Sequence, residues 1–109
     1  NLPESWFERG KQMFETRNYV GCIDQLTRFK TLSKNVYLIQ EADFMLAASA
    51  YYREDPLAIQ MLQNFVRRYP GAGRVAEAEF MSGNYYFFSK KYRQALKYYK
   101  KLKVEDLVL

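Results

Sequence analysis

The sequence predicts an all-α protein made of three antiparallel helical hairpins, six helices in all, stacked on one another. Three observations lead to this prediction. Apolar residues recur at three- and four-residue spacing in six segments, short polar breaks separate these segments, and small residues recur with a period of 36 to 37 residues. The 109-residue chain has only 5 glycines and 3 prolines, which disfavours a turn-rich β-sandwich. Aromatic residues form 17% of it, which excludes intrinsic disorder.

The first hairpin is predicted over about residues 3–35. Pro3 suits the first position of a helix, because the N–H that proline lacks would be unpaired there in any case. Asn18 is expected to cap the second helix after a break at Arg17. The two apolar stripes consist of Trp6, Phe7, Gly10, Met13 and Phe14, and of Tyr19, Cys22, Ile23, Leu26 and Phe29.

The second hairpin is predicted over about residues 36–70. Its first helix begins at either Val36 or Gln40, because the four residues from Val36 onward are apolar on every side of a helix. Asp55 followed by Pro56 predicts the start of the second helix, with the carboxylate as cap and proline in the first position. The two stripes consist of Ala42, Met45, Leu46, Ser49 and Tyr52, and of Ala58, Ile59, Leu62, Phe65 and Val66.

The third hairpin is predicted over about residues 73–105, after a stop rich in proline and glycine at 69–73. Its last helix is not followed by a polar capping helix, because the final residues stay apolar. We therefore expect one domain over 1–109 that belongs to a longer array of repeats or self-associates through its C-terminal helix. The residues that keep this end apolar are Leu102, Val104, Leu107, Val108 and Leu109.

Small residues stand at matching positions in the three hairpins. Because the distance between two packed helices depends on the side chains at their contact, small residues that face each other would let the helices approach closely. Large residues would then fill the space between hairpins, so that no hairpin could bury its apolar face alone. The expected facing pairs are Gly10 with Cys22, Ala48 with Ala58, and Gly83 with Ala95.

The pattern of the first hairpin is carried by Trp6, Gly10, Tyr19, Cys22, Leu26 and Phe29, and that of the third by Gly83, Tyr86, Tyr92, Ala95 and Tyr99. In residue type and spacing, the repeated pattern of these hairpins resembles the tetratricopeptide repeat family over nearly the whole chain. The second hairpin departs most, because its internal turn is shorter and Ala48 replaces the family's glycine. The resemblance implies a right-handed solenoid whose first helices line a concave groove that binds peptides or partner helices.

A narrower resemblance lies in residues 65–71 and in Ala76, Glu77 and Ala78 after them. This junction is similar to the variant repeats of bacterial envelope proteins, such as the lipoprotein of the β-barrel assembly machine and the coordinator of the Tol–Pal system. The resemblance implies a role in cell-envelope assembly and favours a bacterial periplasmic or outer-membrane location.

Aligning the repeats with that family places residues of each hairpin on the concave face, where a protein or peptide partner would bind. Aromatic residues, methionine and arginine suit such a face because they are enriched at interfaces. Residues 85–88 are four consecutive aromatics, and helical neighbours point about 100° apart, so they cannot all face one core. The alternative, that aromatics at helical spacing belong to the core, stays open here. The predicted partner-binding residues are Phe7, Lys11, Phe14, Met45, Ser49, Tyr52, Arg53, Phe80, Asn84, Phe87 and Phe88.

Positive charge is concentrated near the end of the chain. Residues 83–103 hold seven Lys and Arg and no acid, whereas the net charge of the whole chain is +5. A basic face of this kind could bind anionic lipid or nucleic acid. No nucleic-acid-binding motif accompanies it, so we favour a solvated helix face and do not expect a nucleic-acid partner. The predicted basic face consists of Lys90, Lys91, Arg93, Lys97, Lys100 and Lys101.

Residues suited to catalysis or metal binding are scarce. The chain has no His, and its single cysteine, Cys22, is expected to be a small buried residue between helices. It contains neither a glycine-rich phosphate loop nor a nucleophile motif, and no run of about 18 apolar residues that could span a membrane. The sequence therefore predicts a non-catalytic interaction scaffold without metal or cofactor. A basic-surface binder and a purely structural repeat fragment are the alternatives.

Overall fold

The computed structural model describes residues 2–103 and Asp106. Over these residues the chain forms six α-helices and no β-strand, which confirms the predicted fold class. The helices are α1 (Pro3–Glu15), α2 (Tyr19–Leu32), α3 (Val36–Tyr52), α4 (Ala58–Arg68), α5 (Val75–Phe88) and α6 (Tyr92–Tyr99).

Two asparagine caps fix where α2 and α3 begin. Asn18 Oδ1 accepts a hydrogen bond from the backbone N–H of Gly21 at 3.0 Å, as predicted. Asn35 Oδ1 accepts from the backbone N–H groups at the start of α3, including that of Leu38 at 3.2 Å. Because an N-cap satisfies N–H groups that have no partner within the helix, α3 begins at the earlier of its two predicted starts.

The predicted start of α4 is wrong. Asp55 Oδ1 does accept from the backbone N–H of Leu57 at 2.9 Å, but Pro56 lies in a turn and the helix begins at Ala58. The last helix ends at Tyr99, so Leu102 lies beyond it. The apolar residues Val104, Leu107, Val108 and Leu109, on which the expected self-association partly depends, lie outside the described residues.

One turn geometry closes all three hairpins. A non-glycine residue with positive φ stands two residues after the end of each first helix, namely Arg17 at 64°, Glu54 at 57° and Lys90 at 62°. The next backbone N–H then donates to a carbonyl five residues earlier, which is the left-handed cap that commonly ends helices. These hydrogen bonds join Asn18 to Met13 (2.7 Å), Asp55 to Ala50 (2.9 Å) and Lys91 to Tyr86 (2.8 Å).

The helices are arranged as an elongated stack of hairpins, with dimensions of 46 × 26 × 23 Å. Each helix packs on the next in sequence; in addition α1 contacts α3, and α3 contacts α5. No comparable packing joins α2 to α4 or α4 to α6 over residues 2–103. Since the first helices of the hairpins are closer together than the second helices, they form the inner layer of the stack. The right-handed sense of the solenoid stays a prediction.

Two glycines are covered by large side chains, which corrects the predicted facing pairs. A Cβ added to Gly10 would lie 2.6 Å from Leu26 Cδ2, and one added to Gly83 would lie 2.6 Å from Tyr99 Cδ1. Leu26 and Tyr99 each stand one helical turn beyond the expected partners, Cys22 and Ala95. Helical side chains lean toward the N-terminus of their helix, so each large residue reaches back over the level of the glycine.

Candidate functional site

An open cavity lies between the C-terminal ends of α3 and α5. It has a volume of about 460 Å³, within the range of about 300–1,000 Å³ that is common for ligand sites. Aromatic rings and carboxylates supply most of its lining, and we call it the tyrosine cavity. Its lining residues are Tyr51, Tyr52, Glu54, Asp55, Ala58, Tyr85, Phe88 and Ser89.

Two consecutive tyrosines form one wall of the cavity. The rings of Tyr51 and Tyr52 lie 5.2 Å apart at 72°, so they present surfaces in nearly perpendicular directions. Tyr52 also stacks on Tyr19 of α2, with ring centres 5.0 Å apart and planes at 19°. This stacking holds Tyr52 in place although 48% of the residue is exposed to solvent. On the opposite wall Phe88 is 75% exposed.

Acidic residues follow the end of α3 at the edge of the cavity. Glu54 adopts the positive φ of the hairpin turn, and Asp55 follows it with one carboxylate oxygen bonded to the N–H of Leu57. Within the described part of the chain, neither carboxylate forms an ion pair. The hydroxyl of Ser89 donates to the carbonyl of Tyr85 at 2.9 Å, so its oxygen can still accept a hydrogen bond.

Three of the predicted partner-binding residues are buried, and the expectation that they face a groove is wrong. Phe7 is in the core, where its ring lies 5.2 Å from that of Phe29. Met45 belongs to the same core. Ser49 is fully buried, and its hydroxyl has no hydrogen-bond partner of standard geometry in the described structure. These residues are buried because α3 packs against α1 and α2 on one side and against α4 and α5 on the other.

The other predicted partner-binding residues are at least partly accessible, and their binding role stays a prediction. Of the whole set, only Tyr52 and Phe88 line the tyrosine cavity. Phe87 lies beside Phe88 and Tyr92 at the tip of the third hairpin. Of the others, Lys11 and Arg53 are exposed, Phe14 packs edge-on to Tyr19, and Phe80 packs on Tyr99. Asn84 accepts a hydrogen bond from the Tyr99 hydroxyl at 2.6 Å.

Six cavity residues were not in the predicted partner-binding set: Tyr51, Glu54, Asp55, Ala58, Tyr85 and Ser89. The run of four aromatics at 85–88 did contain the relevant signal, since two of its members line the cavity. The acidic residues could have been found from the repeat itself, because the turns that close the second and third hairpins stand next to each other in the stack.

All six residues of the predicted basic face are exposed, and one of them, Lys101, also has a structural contact. Lys101 forms an ion pair of 3.2 Å with Glu79 and lies 4.8 Å from the ring centre of Tyr98. The Glu79 side chain is only 7% exposed and also accepts from Gln63 at 3.2 Å. Lys101 therefore neutralises a buried carboxylate. The residues Lys90, Lys91, Arg93, Lys97 and Lys100 are exposed to solvent.

Several tyrosine hydroxyls are held in partly buried environments. Tyr69 donates to Asp43 Oδ2 at 2.7 Å, and Asp43 is also paired with Lys30. Burial of the hydroxyl is the main cause that raises the pKa of four tyrosines above its ordinary value of 10.0, because it disfavours the phenolate. These residues, which we call the shifted tyrosines, are Tyr52, Tyr69, Tyr86 and Tyr99.

Catalytic and metal-binding groups do not come together in the described residues. They contain no group of three or more His, Cys, Asp or Glu side chains that could hold a metal ion. Cys22 is buried beside Ser49, and burial raises the pKa of its thiol, which the Ser49 hydroxyl opposes only in part. A thiol with a raised pKa is a poor nucleophile near neutral pH. None of the helices in the described residues is long and apolar enough to cross a membrane.

A comparison with protein families found a match within the second hairpin. Residues 41–72 match the family model described as tetratricopeptide repeat. The match covers most of α3, all of α4 and the turn after it. In its sequence, this hairpin departs more from the family's repeat pattern than the other two hairpins do. No curated protein and no solved structure matched the chain. The tetratricopeptide repeat generally mediates protein–protein interaction and is typically a non-catalytic scaffold, whereas the similarity to bacterial envelope proteins stays a prediction.

Proposed function

We propose that the chain is a protein-interaction module whose partner docks at the tyrosine cavity and the aromatic tip beside it, formed by Phe87 and Tyr92. The observation that carries this proposal is the exposure of Tyr52 and Phe88, two large aromatics, in an open cavity of about 460 Å³. Tyrosine is enriched among the residues that contribute most to binding energy at interfaces. The match of the second hairpin to a repeat that mediates protein interaction supports the same function.

The cavity is already organised for binding. Tyr52 is stacked on Tyr19, and both ends of the cavity rest on the hairpin turns that close with backbone hydrogen bonds. A partner that inserts a side chain would therefore immobilise few groups of the module itself. Because ordering of side chains opposes binding, this organisation favours affinity.

The cellular setting is a further part of the proposal. The similarity of residues 65–71 to the junctions of bacterial envelope repeats supports a periplasmic or outer-membrane setting and a role in envelope assembly. A second candidate function, binding of anionic lipid or nucleic acid, is favoured by the solvent exposure of five cations on the basic face. Salt separates the two candidates, because binding to phosphates weakens steeply as salt rises.

The test is a nuclease-treated pull-down from soluble and membrane fractions of the source cells, at low and at high salt. The bait is the wild-type chain, the double variant Tyr52→Ala/Phe88→Ala, or the control Tyr37→Ala, which removes an aromatic that is 81% exposed outside the cavity. We expect a protein that is retained at high salt, lost with the double variant and kept by the control, with unchanged helicity of all three baits. Capture only at low salt would instead favour the basic face, and equal capture by all baits would refute the cavity.

A further inference from the structure

Three polar side chains of the tyrosine cavity, those of Glu54, Asp55 and Ser89, can accept hydrogen bonds, and they stand beside tyrosine hydroxyls that can either donate or accept. Glu54 and Asp55 carry carboxylates, and Asp55 uses only one of its oxygens for the N–H of Leu57. The Ser89 hydroxyl donates its one hydrogen bond to the carbonyl of Tyr85, so its oxygen can only accept from a ligand. No Lys or Arg lines the cavity. A ligand that fits this set must bring hydrogen-bond donors, and two unpaired carboxylates favour one with positive charge.

The aromatic walls suit the same kind of ligand. Rings attract a cation held over their faces, and the nearly perpendicular rings of Tyr51 and Tyr52 offer such surfaces from two directions. A guanidinium group is planar, stacks on aromatic rings and carries five donors, so it can contact rings and carboxylates at once. An apolar side chain in the cavity would leave both carboxylates without a counter-charge, and an anionic one would be repelled.

We propose that the tyrosine cavity recognises an arginine side chain on an extended segment of the partner protein, held between the rings of Tyr51, Tyr52 and Tyr85 and paired with Glu54 and Asp55. This inference rests on the proposed function, since it names the chemistry by which that surface selects its partner. Lysine fills the same site more weakly, because its compact ammonium group does not stack flat on a ring.

The test uses two capped five-residue peptides, Gly-Phe-Arg-Phe-Gly and the same peptide with citrulline in place of arginine. Citrulline has nearly the shape of arginine without its charge. Each peptide is titrated into the ¹⁵N-labelled chain, and amide shifts are followed by NMR. We expect the arginine peptide to bind at least tenfold more tightly than the citrulline peptide, with the largest shifts at the amides of Glu54, Asp55 and Ser89. Equal affinity of the two peptides, or no binding of either at millimolar concentration, overturns the inference.

Variants test whether the carboxylates of Glu54 and Asp55 cause the preference for arginine. The double variant Glu54→Gln/Asp55→Asn removes both charges and keeps the side-chain oxygen that bonds to Leu57, and Glu54→Gln alone provides a test that leaves this turn untouched. We expect loss of the preference for arginine in the double variant and a several-fold reduction in the single variant. The control Glu8→Gln changes an exposed acid on α1 and should keep the full preference. Unchanged preference in both cavity variants overturns the inference.

Failure of the inference can be distinguished from failure of the proposed function. If the pull-down partner is lost with Tyr52→Ala/Phe88→Ala but retained by Glu54→Gln/Asp55→Asn, the surface is the binding site and the charge recognition is wrong.

The basic segment of a second copy of this chain is another source of cations. If sedimentation shows a wild-type dimer that the double carboxylate variant dissociates, the occupant is that second copy, and the arginine of a separate partner is overturned.

Discussion

The contact between Gly83 and Tyr99 gives a quantitative test of how the third hairpin is packed. An added methyl group at Gly83 would lie 2.6 Å from Tyr99 Cδ1 and 3.1 Å from its Cζ. The ring has little freedom to move away, because its hydroxyl is bonded to Asn84 at 2.6 Å and Phe80 packs against it. Gly83→Ala therefore forces either the ring or the helix to shift.

Three contributions determine how much Gly83→Ala changes the free energy of unfolding. Overpacking costs about 1–3 kcal/mol, and loss of the Tyr99–Asn84 hydrogen bond costs about 0.5–1.5 kcal/mol. Against these, alanine in place of glycine favours the helix by about 1 kcal/mol. We expect a net loss of about 2 kcal/mol in the free energy of unfolding, which lowers the melting temperature by about 4–8 °C for each kcal/mol.

Urea unfolding followed by circular dichroism measures this loss, and a second background tests its cause. In a Tyr99→Ala background the ring is absent, so Gly83→Ala should raise stability by about 1 kcal/mol through helix propensity alone. Gly73→Ala is the matched control, because no atom lies within 4 Å of a Cβ added there, and it should be neutral or stabilising by about 0.4–1 kcal/mol. The same effect of Gly83→Ala in both backgrounds would refute the packing described for this hairpin.

Three further predictions concern side-chain pairs and pH. Tyr69→Phe removes the hydrogen bond to Asp43 and should destabilise the fold by about 1–2 kcal/mol in urea unfolding; an unchanged midpoint would show that the bond contributes nothing. Lys101→Met leaves the buried carboxylate of Glu79 without its cation and should lower the free energy of unfolding by about 1–2 kcal/mol, a range that is already reduced for the partial exposure of the lysine. The control Lys97→Met should change the free energy of unfolding by no more than about 0.5 kcal/mol. The shifted tyrosines hold their protons more firmly in the folded state than in the unfolded state. The stability that they contribute is therefore fully present below pH 10 and should fall as pH rises through their raised pKa values. Urea unfolding at pH 8 and pH 10.5 measures this fall, which should be shallower in Tyr69→Phe, and equal slopes for that variant and the wild type would contradict the assignment.

The helices could be predicted because local rules decide them. Apolar spacing, the Asn18 cap and the stop at 69–73 act within a few residues, and the structure follows them. The start of α4 was missed because Asp55 does not act as a cap of a helix that begins at Pro56: its side chain accepts from the N–H of Leu57 in a turn, and the helix begins after that turn.

The site could be predicted only in part, because it depends on how hairpins are offset. Phe7 and Ser49 were assigned to a groove by repeat alignment, and the packing of α1 against α3 buries them instead. The tyrosine cavity forms where two hairpin turns meet, and residues as distant in sequence as Tyr51 and Phe88 line it together. Helical periodicity identifies which face of a helix is apolar, but it does not show how two neighbouring hairpin ends are spaced.

The most direct test of the central claim is site-specific photo-crosslinking in the source cells. A photoreactive phenylalanine analogue replaces Phe88 in the tyrosine cavity, or Tyr37 as an equally exposed control outside it. We predict an adduct with a partner protein from position 88 that is lost when Tyr52→Ala is added, and no such adduct from position 37. Equal adducts from both positions, or adducts from position 37 alone, would contradict the claim that the cavity is the binding surface.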